Sequence, residues 1–178
     1  MQENLGKTIK LGNKVIVEAA HIYTHEIPEE KHKISAKLGG AISKILMQVE
    51  FLIRNFPDYT VIPVHLKQPS ENEDVLHLDC AFLPVGKTKG LIYLPGFSKI
   101  PKEIKENYEL EKITKKEQED LQTNVLSISP KAVISTPNAE RVNSIMESWG
   151  IEIFRIEFSE SKKTGGSFRC ASLPLEHE

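Results

Sequence analysis

Leu76-His77-Leu78-Asp79-Cys80-Ala81-Phe82 lies inside a stretch, Val75 to Leu83, that reads as a β-strand. Side chains two apart on a strand leave the same face of the sheet, so His77 and Asp79 would present a proton carrier beside a carboxylate. Near the other end of the chain stands Gly165-Gly166-Ser167-Phe168-Arg169-Cys170. The glycine pair permits a sharp turn, and Cys170 precedes Ala171, Leu173 and Leu175, an apolar run that reads as a last strand. A thiol at the start of a strand is well placed for a nucleophile. By the same alternation Cys80 falls on the face opposite Asp79 and reads as a small core residue, and Arg169 points away from the Cys170 side. Each group also has a structural reading, since a strand cysteine is commonly a buried hydrophobe and a His-x-Asp pair can simply be a histidine held by a carboxylate.

Working outward, a pattern of hairpin, helix and strand recurs three times, which points to a repeat architecture of α/β class. The first hairpin runs from Thr8 to Glu18 around Gly12-Asn13, the second from Leu76 to Leu94 with Gly86 and Gly90 bracketing its turn, and the third from Asn124 to Ser135 around Ser129-Pro130-Lys131. After the first, Ile34, Leu38, Ala41, Ile42, Ile45, Val49 and Leu52 mark one apolar helix face, and Tyr59 to Leu66 returns as a strand. After the third, Thr136 is expected to cap a helix with Pro137 at its first position. Val142, Ile145, Met146 and Trp149 form that helix's face, Gly150 ends it, and Ile151 to Phe158 follows as a strand. The middle unit is less regular: Pro101 to Tyr108 reads as a short helix, and Thr114-Lys115-Lys116-Glu117 has capping-box spacing.

The chain has 178 residues, 39% of them hydrophobic and 27% charged, which is enough to bury the core of one ordinary domain spanning 1–178. A formal charge of −2 with scattered lysines argues against a nucleic-acid surface, which needs a concentrated basic stripe. No signal-peptide pattern and no apolar run of about 18 residues is present, so the expectation is a reduced, cytoplasmic chain that does not enter a membrane. Two cysteines fall short of a zinc framework. His21, His25 and His32 are interrupted by Pro28 and lack a completing Cys or Asp, so they read as surface histidines and no metal site is expected.

Leu76 through Phe82, then Asn124-Val125-Leu126-Ser127, then Gly165-Gly166 through Cys170-Ala171-Ser172-Leu173-Pro174-Leu175, occur in an order and at a spacing that resemble the C-terminal part of the guanidino-group-modifying superfamily. That superfamily includes arginine deiminase, dimethylarginine dimethylaminohydrolase and glycine amidinotransferase. The resemblance implies a pentein-like α/β-propeller of five hairpin-and-helix units, of which this chain holds about three. It also implies a hydrolase or transferase of amidino groups that works without metal or organic cofactor on a small guanidino substrate. Cys170 would attack the guanidinium carbon as a thiolate, its pKa brought down from a free value of about 8.5. His77 would protonate the departing amine and then activate water or an acceptor amine, and Asp79 would grip the planar guanidinium.

The departures from the family pattern matter as much. The acidic residue that supports the histidine corresponds to Glu3 if the first hairpin is one residue longer, and to Asn4 by strict counting back from Lys14-Val15-Ile16-Val17. A Ser-x-Arg-Thr clamp for a substrate carboxylate is replaced by Ala20-His21-Ile22-Tyr23-Thr24. Three units cannot close a five-unit ring, so self-association or a partner chain is expected to cover the open edges. The rival expectation is a noncatalytic relative that serves as a binding or interaction module.

Overall fold

A computed structural model describes residues 8–11, 14–18, 54, 60–64, 66–67, 73, 75, 77–163 and 165–172. Glu3, Asn4, the segment Ala20 to Thr24, His25, His32, the helix expected over 34–52, and Leu173 and Leu175 lie outside the described residues. The described residues divide between two compact units, one within Met1–Leu78 and Phe97–Pro101, the other within Asp79–Gly96 and Lys102–Glu178. No helix among them is long and apolar enough to cross a membrane.

In the first unit, β1 (Thr8–Leu11) and β2 (Lys14–Glu18) form an antiparallel hairpin, with Leu11 opposite Lys14 and only Gly12-Asn13 between them. β3 (Thr60–Val64) then lies parallel to β2, placing Thr60 opposite Lys14. Leu66 bridges Phe97 in antiparallel fashion, and Val64, Leu66, Val75, Leu78 and Phe97 are buried.

The second unit repeats this topology in two further sheets. β4 (Phe82–Val85) and β5 (Lys89–Ile92) are antiparallel, and β6 (Glu109–Lys112) runs parallel to β5. β7 (Leu126–Ser129) and β8 (Ala132–Ser135) are antiparallel with a bulge near Ser127, and β9 (Glu152–Arg155) runs parallel to β8. A parallel return cannot be made by a tight turn and needs a crossover. α1 (Lys102–Asn107) lies on the first of these crossovers and α3 (Glu140–Ser148) on the second, while α2 (Lys115–Glu119) follows β6. All three sheets among the described residues thus have the order hairpin strand, central strand, parallel strand.

α3 buries Val142 and Met146, one turn apart, while Ile145 and Trp149 are half-buried. Full burial of such side chains contributes about 1.5–3 kcal/mol each. Its start differs from the expectation: Thr136 does not cap it, the N-cap is Ala139 without a side-chain bond, and Pro137-Asn138 form a turn before it. The reason is that the Thr136 carbonyl accepts the Ala139 N–H at 3.3 Å and the buried Asn143 amide at 2.9 Å, which fixes a turn where a first helical residue was expected. Gly150, at φ 76°, ends the helix in the left-handed region as expected.

The capping box is present. Thr114 Oγ1 accepts the Glu117 N–H at 3.3 Å, and the Thr114 N–H donates to the Glu117 carboxylate at 2.7 Å. Glu117 also receives Arg141 of α3 through Nε at 2.7 Å and Nη2 at 2.9 Å, while Arg141 donates to the Lys112 carbonyl at 2.9 Å. This fork ties α2 and α3 to the end of β6. The Arg141 guanidinium is the main cause that holds the Glu117 carboxyl down to about 2 from its usual 4.5, with the Thr114 N–H and hydroxyl adding to it and burial opposing.

A carboxyl whose folded value is depressed contributes stability that is present above its unfolded value and lost as pH falls toward the folded one. Glu117→Gln is therefore expected to cost about 1 kcal/mol at neutral pH, a cap plus a half-exposed ion pair. Urea unfolding should show that gap shrinking below pH 4.5 and vanishing only as pH falls through about 2. A gap independent of pH would contradict this account.

Candidate active site

Asp79 and Cys80 do not sit on a strand. They belong to a 3-10 turn, Leu78–Cys80, and β4 begins only at Phe82. Every residue from Leu78 to Leu83 is buried, and a one-faced strand would have alternated. The consequence is chemical: in the turn Asp79 and Cys80 approach one another, with Cys80 Sγ 3.7 Å from Asp79 Oδ1, instead of facing opposite sides of a sheet. Asp79 is 4% exposed and Cys80 fully buried. Phe82, set edge-on to the Tyr108 ring at 5.3 Å, anchors the strand that follows. His77 directly precedes this turn, half-buried, at the end of the first unit.

Cys170 likewise lies in a turn, Phe168 to Ala171, closed by the Ala171 N–H donating to the Ser167 carbonyl at 2.9 Å. The approach to it depends on the glycine pair. Gly165 takes φ 86°, and a Cβ on Gly166 would stand 3.3 Å from Cys170 Cβ, tight enough to displace the cysteine. Phe168, buried, stacks on Phe158 at 4.7 Å between ring centroids and pins the turn to the segment after β9. Arg169 turns to its own stretch of backbone, its guanidinium 3.5 Å from the Ser172 carbonyl.

Asn124 brings the two turns together. Fully buried, its Oδ1 accepts the Cys170 N–H at 3.0 Å, its carbonyl accepts the Arg169 N–H at 3.3 Å, and its Nδ2 lies 4.0 Å from Cys80 Sγ. Thr123, also buried, donates its hydroxyl to the Cys80 carbonyl at 3.0 Å. Cys170 Sγ is thereby held 4.0 Å from Asp79 Oδ1. Asp79, Cys80 and Cys170 place one carboxylate oxygen and two sulfurs within 4.8 Å of one another, a donor set that would suit a guanidinium or a soft cation. Sequence reasoning gave Asn124 and Thr123 no role. Asn124 opens one of the motif segments, and that placement, with the polar pair Thr123-Asn124 just before β7, was the available signal.

Removing the Asn124 side chain would take away the acceptor of the Cys170 N–H. An unpaired buried donor costs about 1–3 kcal/mol. Asn124→Ala should lose stability of that size in urea unfolding, whereas a surface change such as Ser127→Ala on the exposed part of β7 should be close to neutral.

Residues 43–176 match the family model of N,N-dimethylarginine dimethylhydrolase of the eukaryotic kind. The uncharacterized protein YkgA of Bacillus subtilis (strain 168) is 39% identical over 120 residues, covering 67% of this chain and 40% of that protein. An arginine deiminase of Borrelia recurrentis (strain A1) is 38% identical over 55 residues, or 31% of this chain and 13% of the deiminase. In structure, the amidinotransferase SxtG from Microseira wollei superposes with a TM-score of 0.69 at 18% identity, over 95% of this chain and 46% of that one. The dimethylarginine dimethylaminohydrolase of Pseudomonas aeruginosa, complexed with citrulline, gives a TM-score of 0.58 at 16% identity, over 89% and 50%. The chain spans about half the length of these solved relatives and less of the curated ones. With most of its length matched by one family model, this chain belongs to the dimethylarginine dimethylhydrolase family, within the superfamily of guanidino-group-modifying proteins.

Proposed function

We propose that this chain supplies the nucleophile and guanidinium grip of a cysteine-dependent amidino-group hydrolase or transferase. The observation that carries the reading is the Cys170 sulfur held 4.0 Å from the buried Asp79 carboxylate by the Asn124 clamp on the Cys170 backbone. A thiolate and a carboxylate at that distance repel by on the order of 4 kcal/mol at an effective dielectric of about 20. A planar cation that contacts both reverses the sign, so the substrate itself favours ionisation of the thiol that attacks it.

In this reading Cys170 Sγ bonds to the guanidinium carbon, the carbon–nitrogen bond to the leaving amine breaks, and His77 gives that nitrogen a proton. His77 then takes a proton from water or an acceptor amine, which displaces the sulfur and regenerates the thiolate. Glu3 or Asn4 would orient His77, and Asp79 fixes the carbon before the sulfur. The relative ArgZ, whose N-terminal domain has been captured covalently bound to a reaction intermediate and superposes with a TM-score of 0.59, supports a covalent route in the same fold. The substrate is a guanidino compound without need of an α-carboxylate, the setting cytoplasmic, and the architecture about three of five pentein propeller units in a single domain over 1–178. The alternative reading is a noncatalytic interaction module.

Iodoacetamide near neutral pH should alkylate Cys170 much faster than Cys80, and agmatine or a methylated arginine should raise the Tm of the wild type and not of Asp79→Ala. His77→Ala should slow alkylation of Cys170 with circular dichroism unchanged. Equal alkylation of the two cysteines, or the same Tm rise in the Asp79 variant, would sink the enzymatic reading in favour of the module.

A further inference from the structure

We infer that Cys80 is a resolving thiol for Cys170: an intramolecular disulfide between them is a reversible, peroxide-driven modification of the site. The inference rests on the reading of Cys170 as a reactive thiol. The two sulfurs, far apart in sequence, lie within 4.8 Å of each other, and neither is in a disulfide. Both stand against the same carboxylate oxygen, at 3.7 Å and 4.0 Å. Rotation of one cysteine to another staggered well moves its sulfur by about 3 Å, which is the travel needed to reach the S–S distance of about 2.05 Å. Cys170 sits in a turn, where backbone adjustment does not break a sheet ladder.

Exposure sets the order of events. Cys80 is fully buried and Cys170 partly exposed, so a small peroxide meets Cys170 first. The Cys170 thiolate attacks hydrogen peroxide, forming a sulfenic acid and releasing hydroxide. The Cys80 thiol then displaces the sulfenic hydroxyl, forming the S–S bond and one water, so that the two thiols give up two electrons and two protons while one peroxide becomes two waters. The disulfide removes the nucleophile, protects it from further oxidation, and is reopened by a dithiol. A guanidinium seated on Asp79 would lie in the path of closure, so a bound ligand slows the modification.

The test treats the full chain with hydrogen peroxide and reads intact mass and peptide maps without reduction. The expected product has lost two hydrogens, maps to a Cys80–Cys170 link within one chain, returns to the thiols with dithiothreitol, and forms more slowly in the presence of agmatine. Cys80→Ser and Cys80→Ala should instead gain one oxygen, react with dimedone, and go on to irreversible oxidation. Wild-type chain that accumulates a dimedone-reactive sulfenic acid as the Cys80 variants do, or that links only as a dimer, overturns the inference. Failure of the functional reading looks different: Cys170 would then alkylate no faster than an ordinary thiol before any peroxide is added.

Discussion

Burying a peptide N–H is tolerable only when it finds an acceptor, and at the Cys170 turn that acceptor is one side-chain amide. Asn124 takes the Cys170 N–H at 3.0 Å and, through its own carbonyl, the Arg169 N–H at 3.3 Å. Its nitrogen faces the Cys80 sulfur, and its neighbour Thr123 holds the Cys80 carbonyl. Two turns from distant parts of the sequence are therefore referenced to a pair of residues at the mouth of β7. The chemistry read from Asp79 and Cys170 depends on that reference, because a single 3-10 turn at Leu78–Cys80 and the turn at Cys170 are too short to fix each other's position.

The sheets themselves were largely legible in the sequence. Gly12-Asn13, the turn that starts at Gly86 and Ser129-Pro130-Lys131 carry turn chemistry that survives any packing, and the three hairpins form around them, although Gly90, expected to close the second turn, lies inside β5. Thr114 and Glu117 likewise declare a helix start through local bonds alone. What was not legible depends on tertiary burial. β6 reads Glu-Leu-Glu-Lys, half or fully exposed along its length, and so shows no apolar alternation even though it completes a sheet. The run Leu78 to Leu83 is buried on all sides, which erases the distinction between strand and turn. The Thr136-Pro137 pair has the pattern of a helix start, but the side chain of Asn143, seven residues on, claims the Thr136 carbonyl.

For the site, residue types were readable and their geometry was not. His77, Asp79 and Cys170 could be singled out by identity and order alone, and the structure brings Asp79 and Cys170 to 4.0 Å of one another. The closeness of Cys80 to Asp79 and Cys170 could not be inferred, since strand alternation pointed it the other way. Membership of the dimethylarginine dimethylhydrolase family rests on residues 43–176 and the likeness of fold on solved relatives of 18% identity or less, so the family constrains the kind of chemistry while the particular substrate is a matter for the residues of this chain.

The separation in sequence of the groups that meet at the site bears on the order in which the protein takes shape. Each hairpin closes a short loop, whereas the Cys170–Asp79 approach joins positions 91 residues apart. Closing a longer loop costs more chain entropy, and contacts of large sequence separation tend to form late in folding. The sheets can thus consolidate during synthesis before the Cys170 turn has left the ribosome. A Cys170 turn that emerges after the sheets meets a scaffold already formed, and the place of its sulfur beside Asp79 is then set by contacts made earlier, not by its own local structure.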